Sequence, residues 1–280
     1  MAVIEAAQNT DGGWPYEQGH GSWTEPSVFA LLAGLNGGME QVVIRRGVDW
    51  LRSSQNTDGG WSAQPKTGPS TWVTALVALL PASLLGDSYH QACMKWLLLQ
   101  TGQESNMVYR IRQWMLGNQK LSTGSERGWA WYPGAAAWVM PTALSLVALR
   151  HEQKNNSSED LGRRIQGGVE YLLAHACKDG GWNHGATHAL GYEAGAYPET
   201  TGVALLALRG EKAPEIDRGI AVAERFFQQP NPAGAAWLRI GLLAQGCPAP
   251  ALTPPAHPRR VNVVDEALYR LSDQPSVLFS

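Results

Sequence analysis

The chain has 280 residues, with 22 Lys or Arg and 24 Asp or Glu, so its formal net charge is −2. It lacks the basic excess by which nucleic-acid-binding proteins neutralise phosphates, and we expect no nucleic-acid partner. Hydrophobic residues make up 44% of the chain, which excludes a disordered protein. No apolar run reaches the roughly 18 residues that span a bilayer, and the N-terminal sequence lacks the features of a signal peptide, which predicts a cytoplasmic location.

A short motif that ends in tryptophan recurs along the chain. The string QNTDGGW occupies residues 8–14 and 55–61, KDGGW occupies 178–182, and a weaker copy, SERGWAW, occupies 125–131. In this motif Gly-Gly can end a helix, Asp can bond nearby backbone N–H groups, and Trp and Gln can contact the next repeat. We therefore interpret the motif as a structural staple between repeats.

Two kinds of helix are predicted between the motif copies. The apolar kind covers Glu25–Gly34, Ser70–Leu79, Met140–Leu149 and Glu199–Leu208, which align without gaps and place Ser or Thr near the helix starts as caps. The amphipathic kind covers Met39–Gln55, Ser88–Gln100, Ser158–Cys177 and Glu215–Gln229. Further helices are predicted over Met1–Ala7, Pro232–Leu243 and Val261–Leu271.

This alternation predicts an all-α fold, an α/α-toroid of about six inner and six outer helices built from repeats of about 50 residues. We expect residues 1–280 to form a single domain. It would carry an insertion at about 103–124 and a Pro-rich segment at about 247–258. The last helix would then close the ring beside the N-terminus.

The motif resembles the QW repeat of the squalene–hopene and oxidosqualene cyclases, and the related repeat of protein prenyltransferase β subunits, over about Ala7 to Gln245. This resemblance implies an α/α-barrel with a central apolar cavity for an isoprenoid. The DxDD acid motif of class II cyclases and the DDxxD motif for diphosphate and magnesium are absent, because no two Asp lie within five residues of each other. The Asp-x-Cys part of the prenyltransferase zinc site is absent too, and we predict no cofactor.

Two glutamates at the starts of apolar helices, Glu199 and Glu25, are the candidate catalytic residues. A carboxyl group in an apolar, aromatic-lined pocket has a raised pKa and can act as an acid. The alternative is that each carboxylate only caps its helix or interacts with the helix dipole. Met140 occupies the same alignment column, so the fold does not require Glu there.

Aromatic residues near the starts of the apolar helices are the candidate substrate contacts. They are Trp23, Trp72, Trp131, Trp138, Tyr192 and Tyr197. Their rings could line a cavity or stabilise a cation, and they could equally serve packing between repeats.

A cluster of metal-ligand residue types occupies fourteen residues near the third complete motif: His175, Cys177, Asp179, His184 and His188. Its spacing matches no known site, so no metal is predicted, although the question of a metal there stays open.

Two functions follow from these features. The first is a terpene-cyclase-like or prenyltransferase-like protein that binds an isoprenoid or other apolar substrate in an aromatic-lined cavity, with a lone Glu as acid or base. The second, favoured by the missing acid motif, is a non-catalytic toroid that binds a hydrophobic ligand or a partner protein. A carbohydrate-active toroid would need paired carboxylates, for which Glu25 and Glu199 are candidates. Peripheral contact with a membrane stays open.

Overall fold

The computed structural model describes residues 1–105, 111, 115, 127–185, 188–189, 192–229, 234–253 and 261–279; for 105, 188–189 and 192–193 only the backbone is described. Most of the insertion predicted at 103–124 and the end of the Pro-rich segment at 247–258 therefore lie outside the described residues. Two compact units are present: Met1–Leu97 with Ala251–Ser280, and Leu98–Pro250. The single-domain organisation of residues 1–280 stays a prediction.

Helices dominate both units. In chain order they are α1 (Ala2–Ala6), α2 (Thr24–Gly37), α3 (Gln41–Ser53), α4 (Val73–Val77), α5 (Ala82–Leu85), α6 (Asp87–Leu99), α7 (Val139–Asn155), α8 (Glu159–Ala174), α9 (Pro198–Ala207), α10 (Pro214–Phe227), α11 (Ala235–Ala244), α12 (Val263–Asp273) and α13 (Ser276–Phe279). A short 3₁₀ helix covers Gln103–Ser105, and a hairpin not predicted from the sequence pairs β1 (His188–Ala189) with β2 (Tyr192–Glu193). No described helix is long and apolar enough to cross a membrane.

The two predicted kinds of helix are both present. In α2 every residue from Pro26 to Gly34 is buried, because the helix is apolar on all sides. In α3 the buried residues Ile44, Val48 and Leu51 recur at helical spacing, while Arg45 and Asp49 face solvent. The final long helix, α12, packs against α2 in the first unit.

The motif tryptophans are fixed by hydrogen bonds to the following apolar helix. The four rings are buried, and each backbone N–H donates to a hydroxyl on that helix. The pairs are Trp14 with Ser27 (2.8 Å), Trp61 with Thr74 (2.8 Å), Trp129 with Thr142 (2.8 Å) and Trp182 with Thr201 (3.0 Å). The indole N–H groups of Trp14, Trp61 and Trp182 donate to carbonyls ten residues earlier in the chain. These bonds give the motif the structural role inferred from its sequence.

The predicted capping of the apolar helices is wrong. Their N-cap residues are Trp23, Trp72, Trp138 and Tyr197, and none of these four provides a side-chain cap. Three of the hydroxyls expected to cap the helices, those of Ser27, Thr142 and Thr201, lie inside them and accept the N–H of a motif tryptophan instead.

The ungapped alignment also fails in the second repeat. It matched Ser27 with Trp72, whereas the hydroxyl that receives the tryptophan N–H there belongs to Thr74. The helix in this repeat, α4, covers only Val73–Val77 of the predicted Ser70–Leu79.

Replacement of Thr142 by valine tests the buried hydroxyl. Valine keeps the shape of the side chain but leaves the N–H of Trp129 without its acceptor in a buried site. We expect the free energy of unfolding to fall by about 1–3 kcal/mol, measured by denaturant titration. Thr142→Ser keeps the hydroxyl and is the matched control. A Val variant as stable as the Ser variant would show that this bond contributes nothing.

Candidate functional site

Aromatic residues at the starts of three apolar helices are held in one backbone arrangement. Trp23, Trp138 and Tyr197 are each extended N-cap residues. Their backbone N–H groups donate to the carbonyls of motif tryptophans Trp14, Trp129 and Trp182, each at 2.9 Å. A buried motif tryptophan therefore fixes the helix through its N–H and the aromatic N-cap residue through its carbonyl, so the repeat that builds the fold also positions the candidate contacts.

In the first unit, this arrangement brings Glu25 together with a residue that the sequence analysis did not select. The hydroxyl of Tyr16 donates a short hydrogen bond to a carboxylate oxygen of Glu25. The ring of Trp23 lies edge-on to that of Tyr16, with 5.7 Å between centroids. The backbone of Tyr16 is fixed in turn by the N–H of Val263 at the start of α12, which donates to its carbonyl at 2.9 Å.

The Tyr16–Glu25 pair has perturbed acidities with a clear cause. Burial raises the pKa of Glu25, and the hydrogen bond from Tyr16 opposes this rise without cancelling it. Burial also raises the pKa of Tyr16 strongly, and the charge of Glu25 adds to that effect. The phenol therefore remains a donor at neutral pH, while Glu25 keeps its proton to a higher pH than an exposed glutamate does.

In the second unit, three of the predicted contacts form a row of neighbouring rings together with His184. The centroids of Trp131 and Trp138 are 6.4 Å apart, those of Trp138 and His184 are 5.6 Å apart, and those of His184 and Tyr197 are 5.0 Å apart. Trp138 is 36% exposed and Tyr197 is 47% exposed. We call these four residues the aromatic wall. Large rings that remain exposed in a group are a common feature of binding surfaces.

Glu199 has different surroundings from Glu25. It lies in the first turn of α9, and Gly234, the N-cap residue of α11, packs against it. A Cβ atom at Gly234 would lie only 2.8 Å from the Glu199 carboxyl carbon. With the residues that the structure describes, Glu199 makes no hydrogen bond or ion pair. This position suits a carboxylate that interacts with helix N-termini, and its catalytic role stays a prediction.

The remaining candidates contribute less to either site. Trp72 is half-buried at the start of α4, and Tyr192 lies in β2, where only the backbone is described. The ring of His175 stacks on Tyr171 at 4.0 Å, and burial raises the pKa of the Cys177 thiol. Within the described ranges, no group of three or more His, Cys, Asp or Glu could hold a metal ion, while the side chain of His188 lies outside them.

The sequence analysis did not select Tyr16, and it considered His184 only as a possible metal ligand, for the same reason. Each lies in a turn just after a motif tryptophan, where no periodicity reports its direction. The only available signal was their spacing, since both stand two residues after that tryptophan, at Trp14 and Trp182.

Comparison with known proteins identifies the fold. No family model and no curated protein matches the chain. Among solved structures it is similar to a GH76 α-mannanase from Bacteroides thetaiotaomicron, with a TM-score of 0.63, 9% identity, and 99% of this chain and 93% of that chain covered. It is also similar to a family 8 endoglucanase from Klebsiella pneumoniae, with a TM-score of 0.60, 12% identity and full coverage of both chains.

A third similar structure is the type II terpene cyclase MstE from Scytonema in complex with geranylgeranyl dihydroxybenzoate. Its TM-score is 0.54 at 17% identity, with 99% of this chain and 76% of that chain covered. The protein has an α/α-toroid fold. The fold class predicted from the repeats is thereby confirmed, while identities this low show the fold alone and not membership of the squalene–hopene cyclase family.

The pKa of Glu25 can be followed by NMR titration of its carboxyl carbon. Tyr16→Phe removes the hydrogen bond that lowers this pKa, so we expect the pKa to rise further in the variant. An unchanged or lower pKa would show that the bond does not form in solution.

The same pair predicts a pH dependence of stability. Since the folded-state pKa of Glu25 is raised from 4.5, the folded protein binds more protons than the unfolded chain between 4.5 and the raised value. The free energy of unfolding therefore decreases as pH rises through this window. Glu25→Gln removes this contribution, so the difference in stability between Glu25→Gln and wild type should grow in favour of the variant over the same window.

Proposed function

We propose that the protein binds an isoprenoid or another apolar substrate through aromatic residues at the starts of its apolar helices, and that in the first unit, at Trp23, Glu25 donates a proton to it. The observation that carries this proposal is the Tyr16–Glu25 pair, in which a carboxyl group with a raised pKa accepts a hydrogen bond from a phenol whose ring contacts that of Trp23. The similarity to a terpene cyclase in complex with its substrate supports a fold compatible with such a ligand.

The pair suits transfer of a proton to an alkene. The π electrons of the alkene form the new C–H bond as the O–H bond of Glu25 breaks, which leaves a carbocation and a carboxylate. Tyr16 then stabilises that carboxylate, because a hydrogen bond to an ionised acceptor is stronger than one to a neutral acceptor. Trp23 presents an aromatic ring close by, and such rings attract cations. Loss of a proton from the cation and uptake of one by Glu25 would complete the cycle.

The alternative is a protein that binds a hydrophobic ligand, or a partner protein, without turnover. The absence of the DxDD motif supports this alternative, since a single carboxyl group would have to protonate the substrate, whereas class II cyclases use a motif of several aspartates. For the enzyme and for the non-catalytic protein alike, we propose a cytoplasmic location. Contact with a partner protein or with a membrane surface is compatible with both.

The first test is native mass spectrometry with lipid extraction, before and after incubation with farnesyl diphosphate, geranylgeranyl diphosphate and squalene. A cyclised or transferred product would support the enzyme, and a lipid that stays bound unchanged would support the carrier. If neither a bound lipid nor a product is found, the isoprenoid enzyme and the lipid carrier are both contradicted, and the result favours a protein that binds a partner protein or a substrate outside the isoprenoids. Gluco- and manno-oligosaccharides, incubated in parallel, would test the chemistry suggested by the glycosidase neighbours.

Glu25→Gln tests the proton donor. Glutamine keeps the size of the side chain and still accepts the Tyr16 hydrogen bond, but it has no acidic proton. We expect turnover of the accepted substrate to fall at least about 100-fold, with a melting temperature close to that of wild type. Glu159→Gln, which changes an exposed glutamate in the first turn of α8, is the matched control. Turnover lost with Glu199→Gln and kept with Glu25→Gln would reassign the acid to Glu199.

A further inference from the structure

The insertion of the third repeat interrupts the motif turn itself. In three copies of the turn, a backbone N–H donates to a glycine carbonyl four residues later, at 2.9 Å. These pairs are Asn9 with Gly13, Asn56 with Gly60 and Cys177 with Gly181. The equivalent bond in the third repeat joins Gly102 to Gly128, at 3.1 Å and 26 positions apart in the chain. The extra residues therefore lie between the two halves of one turn.

A half-buried arginine joins these two halves. Arg164 on α8 donates to the carbonyl of Gln100 at 2.8 Å and to that of Arg127 at 2.9 Å. Its guanidinium group also stacks over the ring of Trp129 at 3.7 Å. Burial, together with the charge of Arg127, lowers the pKa of Arg164 to about 10, so it stays a cation at neutral pH. The ends of the insertion are thus fixed in place.

In the first two motif turns, one aspartate holds a serine close to the aromatic N-cap residue of the following helix. Asp11 accepts from the N–H of Gly13 at 3.0 Å, from the hydroxyl of Ser22 at 2.8 Å and from the indole of Trp50 at 3.0 Å. Ser22 directly precedes Trp23. The second repeat has the same network: Asp58 accepts from Gly60 (3.1 Å), Ser70 (2.6 Å) and Trp96 (3.1 Å).

The third repeat builds this network from different residues. Ala137, which precedes Trp138, has no hydroxyl, and its backbone N–H donates to both carboxylate oxygens of Glu104, at 3.1 and 3.3 Å. Its carbonyl accepts from the hydroxyl of the buried Tyr171 at 2.8 Å. Tyr171 corresponds to Trp50, since each stands three residues after a glycine that faces the motif tryptophan ring, Gly168 and Gly47. Glu104, at the start of the insertion, therefore replaces the motif aspartate.

The backbone segment that carries His184 is hydrogen-bonded to the segment that carries Trp138. The carbonyl of His184 accepts from the N–H of Val139, the residue after Trp138, at 3.2 Å. The side chain of Asn183 accepts from Gly185 at 2.8 Å and donates to Ala194 at 3.1 Å. Hydrogen bonds therefore hold the backbone next to Trp138 and next to His184, although the side chains of both residues are exposed. A ring on a backbone held in this way loses less conformational entropy when a ligand covers it than a ring on a mobile loop does.

We infer that Glu104 is a positioning residue for the aromatic wall and that this wall, His184 included, binds an apolar ligand within the second unit. This inference rests on the proposed function for the ligand and on the hydrogen bonds of Glu104 and Tyr171 for the geometry. Without the carboxylate, the N–H of Ala137 loses its acceptor and Trp138 loses its fixed orientation towards His184. Burial and the charge of Glu104 both raise the pKa of Tyr171, which therefore remains a donor to Ala137.

The test compares Glu104→Ala with Glu104→Gln and Asp58→Ala in the full chain. Glutamine keeps a carbonyl oxygen that can accept the N–H of Ala137, so the glutamine variant should retain the probe binding that the alanine variant loses. Asp58→Ala removes the equivalent network from the second repeat, which contributes no residue to the wall, and it serves as the matched control for lost stability. The probe is geranylgeranyl diphosphate, with affinity measured by calorimetry.

We expect Glu104→Ala to weaken probe binding about tenfold, while Glu104→Gln and Asp58→Ala stay within about twofold of wild type. If Glu104→Ala and Asp58→Ala lose the same affinity for the probe, the inference is overturned, because Glu104 would then have only a structural role. If Glu104→Ala does not fold, Tyr171→Phe removes only the hydroxyl that bonds Ala137, and it should weaken binding in the same direction.

A readout without ligand separates this inference from the proposed function. The indole ¹H–¹⁵N resonance of Trp138, assigned with Trp138→Phe, reports the orientation of its ring against His184. If wild type does not bind the probe, the proposed function fails, and the resonance decides the positioning role alone. A shift in Glu104→Ala that is absent in Glu104→Gln and Asp58→Ala supports it, and an unmoved resonance in all three variants overturns it.

Discussion

The backbone of the buried motif tryptophan is the constraint on which both candidate sites depend. Its N–H is satisfied by a hydroxyl inside the following apolar helix, and in three repeats its carbonyl is satisfied by the N–H of an aromatic N-cap residue. A buried amide group without a partner would be costly, so these bonds determine where each helix begins. Trp23, Trp138 and Tyr197 thereby acquire fixed positions without any polar cap.

Two glutamates in the same alignment column differ because their surroundings differ. Glu25 meets the phenol of Tyr16, and burial raises its pKa. Glu199 meets the N-cap glycine of α11, Gly234, and makes no polar contact with any described side chain. Since acid chemistry needs a perturbed carboxyl group near a ligand, the first unit offers the stronger candidate acid and the second unit offers the larger aromatic surface.

The third repeat departs from the consensus at the same place where the second unit presents that surface. Glu104 replaces the motif aspartate, Ala137 replaces the serine that precedes the aromatic residue, and Tyr171 replaces a tryptophan. Local departures from a repeat consensus are expected where a site is built, because the packing rule is satisfied by other means there. The similarity to both cyclases and glycosidases fits this view, since one toroid fold carries different sites.

The sequence by itself determined the repeat, the two kinds of helix and the fold class, because hydrophobic periodicity and the QNTDGGW turns act over a few neighbouring residues. It also selected Glu25, Trp138 and Tyr197 by their place at helix starts. Only the tertiary structure decided that Ser27 and Thr142 satisfy a tryptophan amide rather than cap a helix. The same holds for the pairing of Tyr16 with Glu25 and for the replacement of the motif aspartate by Glu104. These contacts join turns and an insertion whose direction no periodicity reports, so their partners exist only once the chain has folded.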